Sequence, residues 1–205
     1  MKNFITIEGC DGVGKTHQTK LLEQYCAGQN IVFTREPGGS NIAEQIRKIV
    51  LDGANMEMDV LCEAFLYSAS RIQHLHDIVI PALNSGKVVV CDRYVDSSYA
   101  YQGVARGLGL EKIRHLNAIA VGEYMPEYTL FLDLSPKQAF ARKGGVDMND
   151  RLENVNEEFH NKVYQAFCSL AQQEKERYIV IDASGSVMET QQKIRDALRD
   201  RGVIK

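Results

Sequence analysis

No run of apolar residues in this 205-residue chain is long enough to cross a bilayer, which takes about 20 of them in a helix. No charged leader with a cleavage site precedes the first apolar run, so neither export nor anchoring is expected. The five cysteines, Cys10, Cys26, Cys62, Cys91 and Cys168, are scattered, odd in number and free of C-x-x-C spacing. That pattern argues against a disulfide framework and against a zinc site, and makes a reducing cytoplasm the simplest setting. The histidines, His17, His74, His76, His115 and His160, have no metal-site spacing and read as structural or surface residues. Basic excess is also missing: the net charge is −3, so no global field attracts nucleic acid, and any grip on phosphate must be local. Repeats and low-complexity tracts are absent, as is the N-K-x-D guanine reader of GTP switches, since Asn161-Lys162 runs on into Val163-Tyr164.

What is present begins at Gly9-Cys10-Asp11-Gly12-Val13-Gly14-Lys15-Thr16, which matches G-x-x-x-x-G-K-[ST]. Its context is the required one: the apolar run Phe4 to Ile7 reads as a buried strand, and Thr16 to Ala27, through His17, Leu21, Leu22 and Tyr25, reads as a helix. In such a loop backbone N–H groups turn around an anion, the helix N-terminus adds its dipole, and the lysine adds a mobile cation. The guest is a polyphosphate such as that of ATP, with Thr16 placed to ligate Mg²⁺. Cys10, at a helix N-terminus beside Lys15, suggests a thiol of lowered pKa that nucleotide would protect from alkylation.

Further strands are expected at Ile31 to Thr34, Gly86 to Asp92, Tyr128 to Leu134 and Tyr178 to Ile181. Helices are expected at Ile42 to Leu51, Glu57 to Asn84, Leu110 to Glu123, Pro136 to Arg142, Val155 to Glu174 and Val187 to Leu198. With 44% hydrophobic residues, the alternation predicts one α/β domain over 1–205, three-layered, with a five-stranded parallel sheet flanked by helices. Ligands of such sheets bind at the carboxyl ends of the strands. There the sequence delivers Arg35-Glu36-Pro37-Gly38-Gly39 and Asp92-Arg93, with Asp92 in the position of a Mg²⁺-assisting acid. Tyr67 and Arg71, one helical turn apart, read from spacing alone as a core aromatic and a surface arginine, although the same spacing suits stacking on a base and hydrogen bonding to its edge. Tyr94 to Gly103, with Ser98, Tyr101 and Gln102, suits a pocket wall. The stretch Arg142 to Arg151, with Lys143 between them, reads either as a solvated surface loop or as a lid over about 142–152. These features leave three classes open: a kinase for a small acceptor, an NTPase switch or motor, and a nucleotide binder without turnover.

Taken together, Glu8-Gly9-x-Asp11-Gly12-x-Gly14-Lys15-Thr16, Arg35-Glu36-Pro37-Gly38-Gly39, Asp92-Arg93-Tyr94 with Asp96-Ser97-Ser98, Ala100-Tyr101-Gln102-Gly103, and Asp150-Arg151-Leu152-Glu153 resemble the thymidylate kinase family end to end. The resemblance implies a P-loop kinase fold and transfer of the γ-phosphoryl group of ATP to dTMP with Mg²⁺, giving dTDP in dTTP synthesis, by a cytoplasmic homodimer that engages neither nucleic acid nor membrane. It implies that Asp11 meets the sugar 3′-hydroxyl, that Arg47 and Arg93 hold the dTMP phosphate, and that Glu36, Asp92 and Thr16 serve the metal and acceptor side. Arg71, Ser98 and Gln102 would contact thymine, and Tyr101 would wall the sugar. Tyr67 stands where the family usually has the stacking Phe, with Phe65 as the other candidate. Gly12 stands where some members carry an arginine, so Arg142, Lys143 and Arg151 resemble the basic lid of the bacterial type. Another nucleoside monophosphate kinase, or a P-loop binder without catalysis, is the alternative.

Overall fold

Strand β1 (Phe4–Glu8) occupies the centre of the sheet, paired in parallel with β3 (Val88–Asp92) on one side and β4 (Tyr128–Asp133) on the other. In the computed structural model, which describes residues 3–144, 151–152 and 155–205, β2 (Ile31–Arg35) adds to β3 and β5 (Tyr178–Asp182) adds to β4. The order is β2-β3-β1-β4-β5, all parallel. The chain fills one side of β1 and then the other, so the point where strand order reverses falls at the carboxyl end of β1, the place where open α/β sheets bind ligands.

The inner strands β1, β3 and β4 are mostly apolar because both their faces are covered, whereas the edge strand β5 leaves Val180 exposed. Side chains alternate between the faces. Phe4, Val89, Cys91 and Phe131 pack with Tyr94 and Phe167 on one side, and Ile5, Ile7, Val90, Leu130 and Leu132 pack with Leu22 and Ile194 on the other. Layers of helices cover the sheet: α1 (Lys15–Tyr25), α2 (Asn41–Leu51), α3 (Val60–His74), α4 (Ile80–Asn84), α5 (Val95–Ser98), α6 (Leu110–Val121), α7 (Pro136–Lys143), α8 (Glu157–Gln173) and α9 (Val187–Arg199). Among the described residues no helix is long and apolar enough to cross a membrane.

Local chemistry explains where the elements depart from expectation. Helix α8 starts after Asn156, whose side chain accepts the Phe159 N–H at 2.9 Å as an N-cap. Helix α6 stops at Gly122, which takes a φ of 55°. The long helix expected over Glu57 to Asn84 is continuous from α3 to α4 but widens to π-helical geometry at Leu75–Val79, and Pro81 sits in the first turn of α4. The segment after α5 is also π-helical, Tyr99–Ala105; the Arg106 N–H reaches back five residues to the Tyr101 carbonyl at 2.8 Å.

Candidate active site

The carboxyl ends of β1, β2 and β3, with α1, α3 and the Tyr99–Ala105 turn, enclose a cavity of about 530 Å³. One end is the glycine loop. Gly14 precedes α1 with φ 98°, a left-handed turn that glycine makes without Cβ strain. Gly12 has φ 79°, and a Cβ there would stand 3.0 Å from the Ala139 carbonyl oxygen of α7. An arginine at this position would therefore be strained in its backbone and crowded by α7, which accounts for its absence. Lys15 folds along the loop, donating to the Gly9 and Cys10 carbonyls at 2.9 and 2.7 Å. Burial and the neighbouring Arg93 pull its pKa down to about 8. Thr16 donates its hydroxyl to Asp92 Oδ2 at 2.7 Å, so the P-loop hydroxyl and the strand-end carboxylate meet.

These oxygens fit Mg²⁺, a hard cation that uses one or two protein ligands and completes its shell with water and substrate phosphates. Among the described residues no group of three or more His, Cys, Asp or Glu side chains could cage a metal.

Arg93 follows Asp92 with φ 69°, the left-handed region that non-glycine residues seldom adopt. The turn is tied down on both sides: the Arg93 N–H donates to Ile7 O at 3.0 Å, and the Tyr94 N–H donates to Glu8 Oε1 at 2.7 Å. The guanidinium then bridges the P-loop and the opposite wall. It pairs with Asp11 and donates to Gly9 O at 3.3 Å, Ser97 Oγ at 3.0 Å and Tyr101 Oη at 3.3 Å. Tyr101 in turn donates to Asp11 Oδ2 at 2.6 Å. Burial would raise the Asp11 carboxyl, but Arg93, Lys15 and the Tyr101 hydroxyl outweigh it and hold the group below the usual carboxylate range. Glu8, wholly buried, goes the other way: burial and the nearby Asp96 push it up to about 7.

The far end is built around Arg71. Its Nε donates to Glu36 Oε2 at 2.9 Å, its Nη1 and Nη2 reach Ser98 Oγ at 3.3 and 3.2 Å, and Nη1 also bonds Asn117 Oδ1. The other Glu36 oxygen is bonded to His74 Nδ1 at 2.9 Å, and His74 Nε2 contacts Thr34 Oγ1 at 2.7 Å. Both Glu36 oxygens thus have partners, so the residue anchors Arg71 and leaves neither oxygen open to a metal. His74, wholly buried and off the cavity wall, has the structural role expected of it, whereas nothing in the sequence marks Asn117 of α6 as a partner of Arg71.

The cavity wall carries Asp11, Gly12, Val13, Gly14, Lys15, Thr16, His17, Glu36, Arg47, Tyr67, Arg71, Asp92, Arg93, Ser98, Tyr101, Gln102, Arg142 and Lys143. Arg47 donates to the Pro37 carbonyl at 2.8 Å. Between the two aromatic candidates, Tyr67 is 9% exposed and on the wall, while Phe65 is 59% exposed and away from it. Gly9 and Cys10 lie behind the wall. Cys10 is buried, and burial pushes its thiol up to about 12, the reverse of the expected activation, because desolvation of a thiolate outweighs the attraction of Lys15.

Arg151 departs most from expectation. It is 2% exposed, donating to the Val50 carbonyl at 3.0 Å and to Glu63 Oε2 at 2.5 Å, and it is not on the cavity wall. A buried carboxylate competes for this cation, so of the three basic residues only Arg142 and Lys143 reach the cavity. Arg142 donates to the Ala183 carbonyl at 2.5 Å and to those of Ser184 and Gly185, joining α7 to the loop after β5. The expected lid at 142–152 lies in its central part, 145–150, outside the described residues.

The thymidylate kinase family model matches residues 7–194. The thymidylate kinase of Symbiobacterium thermophilum is 49% identical over 95% of this chain and 92% of its own length; that of Finegoldia magna is 43% identical over 98% and 100%. Among solved structures, thymidylate kinase from Ehrlichia chaffeensis superposes with a TM-score of 0.79 at 29% identity, covering 95% of this chain and 97% of that one. With matches this long in sequence and in fold, on a cavity that joins a phosphate loop to a buried arginine hub, the chain belongs to the thymidylate kinase family.

Proposed function

We propose that this chain transfers the γ-phosphoryl group of ATP to dTMP, giving dTDP and ADP for dTTP synthesis, and that it does so with Mg²⁺, as a cytoplasmic homodimer working through one catalytic unit. The observation that carries the reading is a single cavity with a phosphate loop at one end, a buried hydrogen-bonding arginine at the other, and Arg93 bonded to both walls between them.

In this reading the loop amides and Lys15 hold the donor phosphates. Thr16 and Asp92 would hold Mg²⁺, which when bound neutralises charge on the phosphate oxygens. Arg93 and Arg47 receive the dTMP phosphate, Asp11 the 3′-hydroxyl, and Tyr101, fixed by its bond to Asp11, closes the space a ribose 2′-hydroxyl would need. Arg71 offers N–H to the base, with Ser98 and Gln102 beside it and Tyr67 against the ring face. A phosphate oxygen of dTMP attacks in line. Because the phosphoryl group needs little covalent help, the protein acts by placing the two substrates and by fixed positive charge. Arg142 and Lys143 supply the cation that Gly12 cannot carry. The homodimer is supported by apolar side chains exposed two turns apart on neighbouring helices, Ile42 and Ile49 on α2, Phe65 and Ile72 on α3.

A coupled ADP assay with ATP, Mg²⁺ and a panel of dTMP, dUMP, UMP, AMP and GMP tests the reading. Fastest turnover with dTMP is expected. A different preferred acceptor would make the chain another nucleoside monophosphate kinase, and no ADP in any mixture would leave only nucleotide binding.

A further inference from the structure

Glu63 is fully buried on α3, one and two turns before Tyr67 and Arg71, so the three side chains share one helix face. Its Oε1 accepts from Gln102 Nε2 at 2.8 Å. Its Oε2 is paired with Arg151 at 2.5 Å and Arg106 at 3.2 Å. Two guanidiniums allow a carboxylate to stay charged at such depth. An ionised carboxylate only accepts hydrogen bonds, so the Gln102 amide has one compatible orientation: nitrogen to Glu63 and carbonyl oxygen at its other end. Gln102 itself lines the cavity.

We propose that Glu63 is a specificity-determining positioning residue, holding Gln102 so that an amide oxygen rather than an amide N–H₂ meets the base, and thereby selecting thymine over cytosine. The inference rests on the dTMP reading above. Thymine presents an acceptor at O4 and a donor at N3–H; cytosine presents a donor at N4 and an acceptor at N3. Arg71 can only donate, and the pinned Gln102 can only accept, which matches the first pattern and opposes the second at both positions. A free glutamine would turn over to suit either base. Glu63 touches no substrate and acts through Gln102 alone.

The test compares kcat/KM for dTMP and dCMP in the full-length chain with ATP and Mg²⁺. Glu63→Gln, whose amide can donate as well as accept, should narrow the dTMP:dCMP ratio about tenfold, the worth of one hydrogen bond. Glu63→Asp, still acceptor-only, should keep the ratio within about threefold. In a Gln102→Ala background Glu63→Gln should no longer move it, since the coupling runs through that amide. A ratio unchanged by Glu63→Gln, or moved equally with and without Gln102, overturns the proposal. A wild-type chain that does not phosphorylate dTMP overturns the underlying reading instead. Should Glu63→Gln fail to fold, side-chain amide hydrogen exchange in the unliganded wild type decides: strong protection of the Gln102 amide is expected, and exchange at the rate of a free amide refutes the pinning.

Discussion

Glu36→Gln is the perturbation that the structure constrains most tightly. The side chains of Arg71 and Glu36 are 2% and 3% exposed, and His74 on the other oxygen is 0% exposed. The substitution keeps the shape and removes the charge, leaving the Arg71 guanidinium with the neutral acceptors Ser98 and Asn117. Removing one partner of a buried pair costs about 3–5 kcal/mol. The amide oxygen still accepts one bond, so the lower end applies, about 3 kcal/mol. For a chain of this size that is a fall in Tm of roughly 6–12 °C. Urea unfolding should show the midpoint reduced at unchanged slope, since the surface exposed on unfolding is the same. The control is Glu36→Gln with Arg71→Met. Removing the orphaned charge should restore at least about half of the lost stability, while dTMP turnover should stay low if Arg71 is the base's donor as proposed. A single variant within about 1 kcal/mol of wild type, or a double variant less stable than the single, would refute the argument that this pair is a charge locked in the interior.

Other consequences follow from the same geometry. Arg93→Ala should lower kcat by about a hundredfold or more in the coupled assay, as loss of an electrostatic clamp does; a rate within a few-fold of wild type would place the clamp elsewhere. Cys10, with its thiol raised to about 12, should resist alkylation at neutral pH with or without ATP, while exposed Cys62 reacts; mass spectrometry showing equal labelling of the two would contradict its burial. Glu8 makes a pH prediction with a definite sign. Burial and Asp96 push its carboxyl up to about 7 in the folded chain, against 4.5 for an ordinary glutamate, so between those values the folded chain binds more protons than the unfolded one. Its contribution to stability therefore falls as pH rises through this window and levels off above it, by at most about 3 kcal/mol. The stability difference between wild type and Glu8→Gln, measured at about pH 5 and about pH 8, should shift in favour of the variant at the higher pH; a flat difference would refute it.

The order of elements and the phosphate end of the cavity were legible in the sequence because their causes are local. A Val/Ile run, a glycine loop and an amphipathic helix each declare themselves within a dozen residues, and by that pattern alone Lys15 and Thr16 fall at a helix start and Asp92 and Arg93 at a strand end. The spacing of Tyr67 and Arg71 likewise put both on one face before the fold was known. What tertiary structure decided was partnership across long separations. Glu36 is committed to Arg71 and His74, Cys10 is closed off behind the loop, Asn117 arrives from α6, and α7 packs against Gly12. Arg151 shows the difference most plainly. The family resemblance groups it with the lid cations, yet Glu63, 88 positions away in the chain, takes its charge into the interior. Sequence spacing ranks neighbours along the chain, but the energy of a buried charge depends on which opposite charge the fold brings within hydrogen-bonding distance, and only the assembled packing determines that.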